Sequence, residues 1–207
     1  MIEVSKIERK GNRIKISFLQ SEPLLLSRET FNKFPLYVDQ TITEKFLDDL
    51  VNFEQLNLAK QAALRLLAIR NHSSLELRKK LLQKKIKPDM VEKILEYLVD
   101  ANLLNDEKFA REYASELSKR KHFGSSRIKL ELRKKGIEDT IVKDIMKKSS
   151  ADLESEKKNL ELAASKYLKH LSKKLSPREK QKLVNFLYRK GFSWDLISLY
   201  FRSFDGG

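Results

Sequence analysis

The chain has no cysteine, which excludes disulfide staples and thiolate metal sites. Only 6 glycines and 4 prolines interrupt its 207 residues. Beside abundant Leu, Lys and Glu, that scarcity points to a mostly helical protein. The glycines are scattered and none belongs to a G-x-G-x-x-G or Walker-type loop, so no phosphate cradle of that kind is present. No apolar run approaches the ~18 residues that cross a bilayer. Met1-Ile2-Glu3-Val4 lacks the basic and apolar blocks of a signal peptide, so a cytoplasmic protein with no membrane partner is expected. His72, His122 and His170 stand far apart, each after a basic helical segment. With no second ligand at metal spacing, all three read as boundary or surface residues. Asp48-Asp49 and the group Asp152, Glu154 and Glu156 have no neighbouring histidine or lysine suited to nuclease chemistry, and read as solvated faces. Neither an enzyme nor a cofactor is expected.

What the chain has in excess is charge. Charged residues make up 35% of it, against a usual share of about 25%. The net charge of +14 and the pI near 9.7 call for a polyanionic partner, either nucleic acid or an acidic protein surface.

It also has a pattern written three times. The first copy runs Leu77, Leu81, Lys84, Ile86, Met90, Val91, Ile94 and Leu95. About fifty residues later, in register, come Ile128, Leu132, Lys135, Ile137, Ile141, Val142, Ile145 and Met146. A third copy has Leu183, Leu187, Lys190, Phe192, Leu196, Ile197, Tyr200 and Phe201. Copies two and three share a Lys-Gly-apolar junction, Lys135-Gly136-Ile137 and Lys190-Gly191-Phe192. The pattern predicts tandem three-helix repeats, each with a long, a basic and a short helix: residues 51–100, 101–148 and 149–207.

Ahead of them, residues 1–50 read as a small α+β module. Ile2, Val4 and Ile7, then Ile14, Ile16 and Phe18, flank the turn signal Lys10-Gly11-Asn12 and predict a β-hairpin. Leu24-Leu25-Leu26 adds a short strand, and Ser27 to Phe31 starts a brief helix. Thr41-x-x-Glu44, Ser73-x-x-Glu76 and Ser176-Pro177-Arg178-Glu179 have the form of helix-starting capping boxes. Continuous helix is expected from about Glu54, with Leu58, Ala62, Leu66 and Ile69 on a wide apolar face beside Ala59, Ala63 and Leu67. The polar stretch Lys147 to Ser155 reads as a flexible joint. Trp194, Tyr200 and Phe201 form a candidate stacking platform, although their helical spacing favours core positions.

With Ile128 and Leu132 turned to the core, Arg127 and Lys134 project outward, flanked by Lys129 and Arg133. In the third repeat Lys182 takes the place of Arg127 and Arg189 that of Lys134, with Arg178 on the same face. The first repeat has Glu76 and Gln83 there instead. A solvated helix face is the simplest reading of any one of these helices, but recurrence in two repeats favours a shared basic surface. Each phosphate contact from such residues adds about −0.7 to the log–log salt slope on a single strand. Lys119-Arg120-Lys121-His122-Phe123 is a second basic run.

Three ordered segments carry a resemblance. Arg70 to Leu81 resembles the R-x-x-S-x-x-E-L-x-x-K-L segment of the RecX family. Leu103-Leu104-Asn105-Asp106 to Phe109-Ala110 is similar to that family's next signature. Gly124 to Ile137 resembles its G-x-x-x-I-x-x-E-L-x-x-K-G-I segment, and together the three cover about residues 58 to 146. The resemblance implies a monomeric regulator of the RecA recombinase, built of three-helix units, that lies in the groove of the RecA–DNA filament. It further implies inhibition of filament growth, ATP turnover, strand exchange and repressor co-cleavage, and so control of DNA repair, recombination and the SOS response. Single-stranded and double-stranded DNA are implied partners. Arg127, Lys129, Arg133, Lys134, Arg178, Lys182 and Arg189 are the candidate contacts. The alternative is a stand-alone helix-turn-helix-like DNA-binding protein, against which stands an outward face rich in Lys and Arg but poor in the Asn and Gln that read bases. A purely protein-binding scaffold, the third reading, predicts no salt-dependent DNA affinity.

Overall fold

Ile2 and Val4 are two residues apart, but the next apolar residue, Ile7, breaks that period. The break becomes a β-bulge in the structure, a computed structural model that describes residues 1–150, 153–169 and 175–205. Strand β1 (Ile2–Lys10) pairs antiparallel with β2 (Arg13–Phe18), and its register shifts between Val4 and Lys6. The extra residue, Ser5, lets Val4 oppose Phe18 while Ile7 opposes Ile16. Gly11, at φ +60, sits in the two-residue turn. Strand β3 (Leu24–Ser27) pairs with β2 and β4 (Thr41–Ile42) with β1, giving one antiparallel sheet ordered β3-β2-β1-β4.

Strand β4 corrects the capping box expected at Thr41. Thr41 lies in the sheet, and the Thr43 hydroxyl caps helix α2 (Glu44–Ile69) by accepting from the Phe46 N–H at 3.1 Å. The helix therefore begins ten residues before Glu54 and runs through the expected boundary at residue 50. Val4, Ile16, Leu26, Leu36 and Leu50 fill the module's core. Beside them Glu54 is buried, accepting from the Ser27 N–H with both oxygens (3.0 and 3.0 Å) and from its hydroxyl (2.8 Å). Asn57 donates to the same hydroxyl at 3.0 Å. Ser27 also caps the short helix α1 (Arg28–Lys33).

The chain divides into two compact units, Met1–Arg70 with Leu77–Leu103, and Asn71–Glu76 with Leu104–Gly207. Helix α3 (Ser74–Gln83) contributes its first turn to the second unit and Leu77 and Leu81 to the core of the first. In the first unit α4 (Pro88–Asp100), with proline in its first turn, buries Met90, Val91, Ile94, Leu95 and Leu98. Each such residue contributes about 1.5–3 kcal/mol of burial. The face of α2 is narrower than expected: Ala59 and Ala63 are buried, whereas Ile69 is 80% exposed.

In the second unit, α5 (Asp106–Lys121), α6 (Ser125–Lys134) and α7 (Asp139–Ser150) enclose Phe109, Leu117, Ile128, Leu132, Ile137 and Val142. Helices α8 (Leu153–Leu168), α9 (Pro177–Arg189) and α10 (Trp194–Asp205) enclose Leu160, Leu183, Leu187, Phe192 and Ile197. Asn105, Gly124 and Ser193 begin helices, and the capping box expected at Ser176 is complete. Of the polar joint expected at Lys147 to Ser155, Lys147–Ser150 end α7 and Leu153–Ser155 open α8. Residues 151 and 152, His170 and the final Gly206-Gly207 lie outside the described residues.

The Lys-Gly pairs build one junction twice within the second unit. Gly136 (φ +76) ends α6 against Leu75, where an added Cβ would meet that side chain at 2.7 Å. Gly191 (φ +92) ends α9 against Arg127, with a Cβ 2.3 Å from the Arg127 nitrogen. Around the first, Ser73 Oγ donates to the Lys135 carbonyl at 2.7 Å and the Ser74 N–H to Asp106 at 2.8 Å. Around the second, the N–H groups of Gly124 and Ser126 donate to the carbonyls of Lys190 (2.9 Å) and Gly191 (3.2 Å), and the Ser125 N–H donates to Glu156 at 2.9 Å. A carboxylate on a following first helix thus satisfies each middle-helix N-terminus, where orphan N–H groups favour negative charge. Lys85 holds the same left-handed position in the first repeat (φ +61), with the same closing bonds, but is exposed. The helix ending needs a positive φ; only the docked copies need glycine.

Candidate nucleic-acid and partner interface

Helix α9 turns Leu183 and Leu187 to its core, so Arg178, Lys182 and Arg189 lie together on the opposite, exposed face. None of the three forms a salt bridge among the described residues. Gln181 and Asn185 are exposed on the same helix and joined by a 3.2 Å hydrogen bond. Helix α9 thus adds two amides of the base-reading kind to an outer face expected to be poor in them. Tyr188 (65% exposed) and Trp194 (60% exposed) flank it. Trp194 thus leaves the core position favoured by its spacing, while Tyr200 and Phe201 pack against the core.

Helix α6 arranges its charges differently. Glu131 sits between Arg127 (2.9 Å) and Lys134 (3.2 Å), and Arg133 pairs with Asp139 at 2.7 Å. That hydrogen bond lowers the Asp139 carboxyl and raises the Arg133 guanidinium relative to their ordinary values. Lys134 is exposed and Lys129 half-buried. Arg127 and Lys134 meet at the same Glu131 oxygen on one side of the helix; in addition Gly191 covers the Arg127 backbone, and the guanidinium lies 5.6 Å from the Phe123 ring centroid. The helical wheel knows only the core of its own helix, and the α9–α10 turn covers this end. The seven candidates therefore form an open group of three on α9 and a group of four on α6, of which Arg127, Arg133 and Lys134 are ion-paired and Arg127 also lies in the second junction.

Two other assignments change. His72, expected at a boundary or surface, is buried at 2% exposure. Glu156, read as solvated, caps α6. His122 keeps its boundary place as the left-handed cap of α5. Asp48, Asp49 and Glu154 are exposed.

A further group was missed: Lys190 and Arg127 lie against the Phe123 ring, with Lys121 and Lys166 near enough to act on Lys190. Lys190 Nζ donates to the Lys121 carbonyl at 3.1 Å and lies 4.8 Å from the Phe123 centroid and 5.5 Å from that of Phe186. Burial, then Lys166, Lys121 and Arg127, lower its affinity for its proton. Burial and Lys166 act likewise on His122, joined more weakly by Lys190. The signal was present in the repeat alignment, which puts Arg127 where the first repeat has Glu76.

Among the described residues, no helix is long and apolar enough to cross a membrane. Three family models match in succession: RecX, first three-helix domain, over residues 59–98; RecX, second three-helix domain, over 105–146; and RecX, third three-helix domain, over 154–201. A "Regulatory protein RecX" of Clostridium perfringens (strain 13 / Type A) is 32% identical over 196 residues, covering 94% of this chain and 90% of its own. One from Chlorobium limicola is 33% identical over 141 residues, 68% of this chain and 86% of its own. Among solved structures, a regulatory protein RecX superposes with a TM-score of 0.71 at 22% identity, over 96% of this chain and 98% of the other. RecX from Lactobacillus salivarius gives 0.62 at 27% identity, over 73% and 97%.

Proposed function

The chain belongs to the RecX family of regulatory proteins, and on that premise we propose that it binds the RecA recombinase and its DNA filament. In this reading it acts as a cytoplasmic monomer that inhibits filament growth, and with it ATP turnover, strand exchange and repressor co-cleavage, so regulating DNA repair, recombination and the SOS response. The observation that carries it is the ordered run of three matched domains in a chain of net charge +14. Arg178, Lys182 and Arg189 are the leading contacts to DNA phosphates or to acidic recombinase surface. Lys129 extends that surface, as do Arg133 and Lys134 once Asp139 and Glu131 are displaced, and Arg127 contributes from the junction. No covalent chemistry is required, because a protein that prefers one filament state or end shifts the population of the others.

The test is DNA-dependent ATP hydrolysis by the cognate recombinase, with this protein titrated in. Loss of turnover well below one protein per recombinase supports filament control. Loss only when the DNA is saturated sinks it in favour of a stand-alone DNA-binding protein. That second reading is favoured by one observation, the exposed Gln181–Asn185 pair on the basic face of α9. It predicts a sequence preference that Gln181→Ala would relax.

A further inference from the structure

The two junctions share a backbone but differ in charge. In the first, Lys135 finds the carboxylate of Glu76, with the Tyr113 ring 5.3 Å away. In the second, Lys190 replaces Lys135 and Arg127 replaces Glu76, so the lysine meets a guanidinium where its counterpart meets an acid. Lys121 and Lys166 add two more positive charges. Glu131 is the one carboxylate paired with any of these four cations among the described residues, and it is shared with Lys134. The Arg127 Nε is buried and has no hydrogen-bond partner among the described residues. Donors and positive charge are thus held in place by two rings and a carbonyl, without the anion that completes the first junction.

We propose that the second junction is a phosphodiester-binding site, in which a nucleic-acid phosphate takes the place that the Glu76 carboxylate holds in the first. This rests on the nucleic-acid side of the reading above and deepens it. A nucleic-acid strand supplies one negative charge per nucleotide with no intervening cation, a density suited to four clustered cations. The site also has a mechanical consequence. The same contact that neutralises Lys190 and Arg127 holds the end of α9 on the start of α6. Binding the strand therefore stiffens the connection between the second and third repeats.

The experiment reads hydrogen exchange of the Gly124 and Ser126 amides, whose N–H groups bond across this junction, with an oligothymidylate as probe. At ten times its dissociation constant the probe is expected to slow that exchange about tenfold. Arg127→Glu, which recreates the acid of the first junction, is expected to give slow exchange without probe and no further slowing with it. Lys190→Met, which keeps the packing between the rings, is expected to lose the probe-dependent slowing and to lower the salt slope of binding by about 0.7. Unchanged exchange on adding probe to the unaltered protein, or slowing retained in both variants, overturns the site. Equal slowing by polyglutamate at matched charge also overturns it, assigning the junction to an acidic protein surface. The combined variant Arg178→Gln, Lys182→Gln, Arg189→Gln is expected to weaken overall binding yet keep the slowing once the probe saturates. Failure of the recombinase assay with slowing present removes the filament reading and leaves this site, whereas slowing absent with the assay positive does the reverse.

Discussion

Replacing Gly191 by alanine tests the junction at its tightest point. Two costs arise. At φ +92 an L side chain is strained by about 1–2 kcal/mol. The new Cβ would also lie 2.3 Å from the Arg127 nitrogen, 2.4 Å from its Cβ and 2.8 Å from its Cα. Two of these are backbone atoms that no rotamer change can move. The turn must lift, weakening the bonds from Gly124 to the Lys190 carbonyl and from Ser126 to the Gly191 carbonyl, at about 0.5–1.5 kcal/mol each. Gly191→Ala should thus cost about 2–5 kcal/mol. Gly11→Ala is the internal control. It also has a positive φ (+60) but nothing within 4 Å of the new Cβ, so only the strain of about 1–2 kcal/mol applies. Guanidinium unfolding followed by far-ultraviolet circular dichroism measures both. Repeat arrays depend on interfaces between neighbours, so Gly191→Ala should also broaden the transition as the third repeat uncouples. Equal midpoints for the two variants would refute the contact argument and leave only backbone strain.

Two further outcomes follow from the buried and capping carboxylates. Glu54→Leu strands the Ser27 N–H in the core while the hydroxyl keeps Thr30 Oγ1 as acceptor, which should cost about 1–3 kcal/mol in thermal unfolding; a loss below about 0.5 kcal/mol would contradict it. Glu179 accepts from both the hydroxyl (2.7 Å) and N–H (2.8 Å) of Ser176, and these bonds hold its carboxyl below the ordinary 4.5. Its contribution is therefore complete above the unfolded value and is lost as pH falls through the lower folded value. In an NMR titration Ser176→Ala should return the Glu179 midpoint toward 4.5, and an unmoved midpoint would sink the assignment.

Within each repeat the helices were legible because burial imposes a period, and Ile128, Leu132, Val142 and Ile145 obey it without help from elsewhere. Even the slip between Val4 and Ile7 was visible as a break in alternation, although only pairing with Phe18 and Ile16 makes it a bulge. What stayed hidden depends on residues far apart in the chain. Nothing near Glu156 reveals that it caps a helix beginning at Ser125, so its charge suggested a solvated face. Nothing around Thr41 reveals that Glu3 is its strand partner, so a Thr-x-x-Glu string suggested a cap. Arg127 combines both difficulties. Its own helix turns it outward, and only the arrival of Gly191 on its backbone places it in a junction.

The Lys-Gly junction shows how far sequence and contact can be brought together. As a motif it marked the second and third repeats and was missing from the first. The structure gives the reason: the left-handed turn occurs in all three, at Lys85, Gly136 and Gly191, but only the last two are pressed against a preceding middle helix. Glycine is therefore required by the dock rather than by the turn. The neighbouring charges obey no such constraint, since Glu76 and Arg127 occupy matching places on the same backbone. That freedom allows one architecture to close its first junction with an internal salt bridge and leave its second positively charged. A glycine at the turn and a basic residue at the start of the preceding middle helix would then identify such a junction in another repeat array, whereas a basic stripe on a single helical wheel would not.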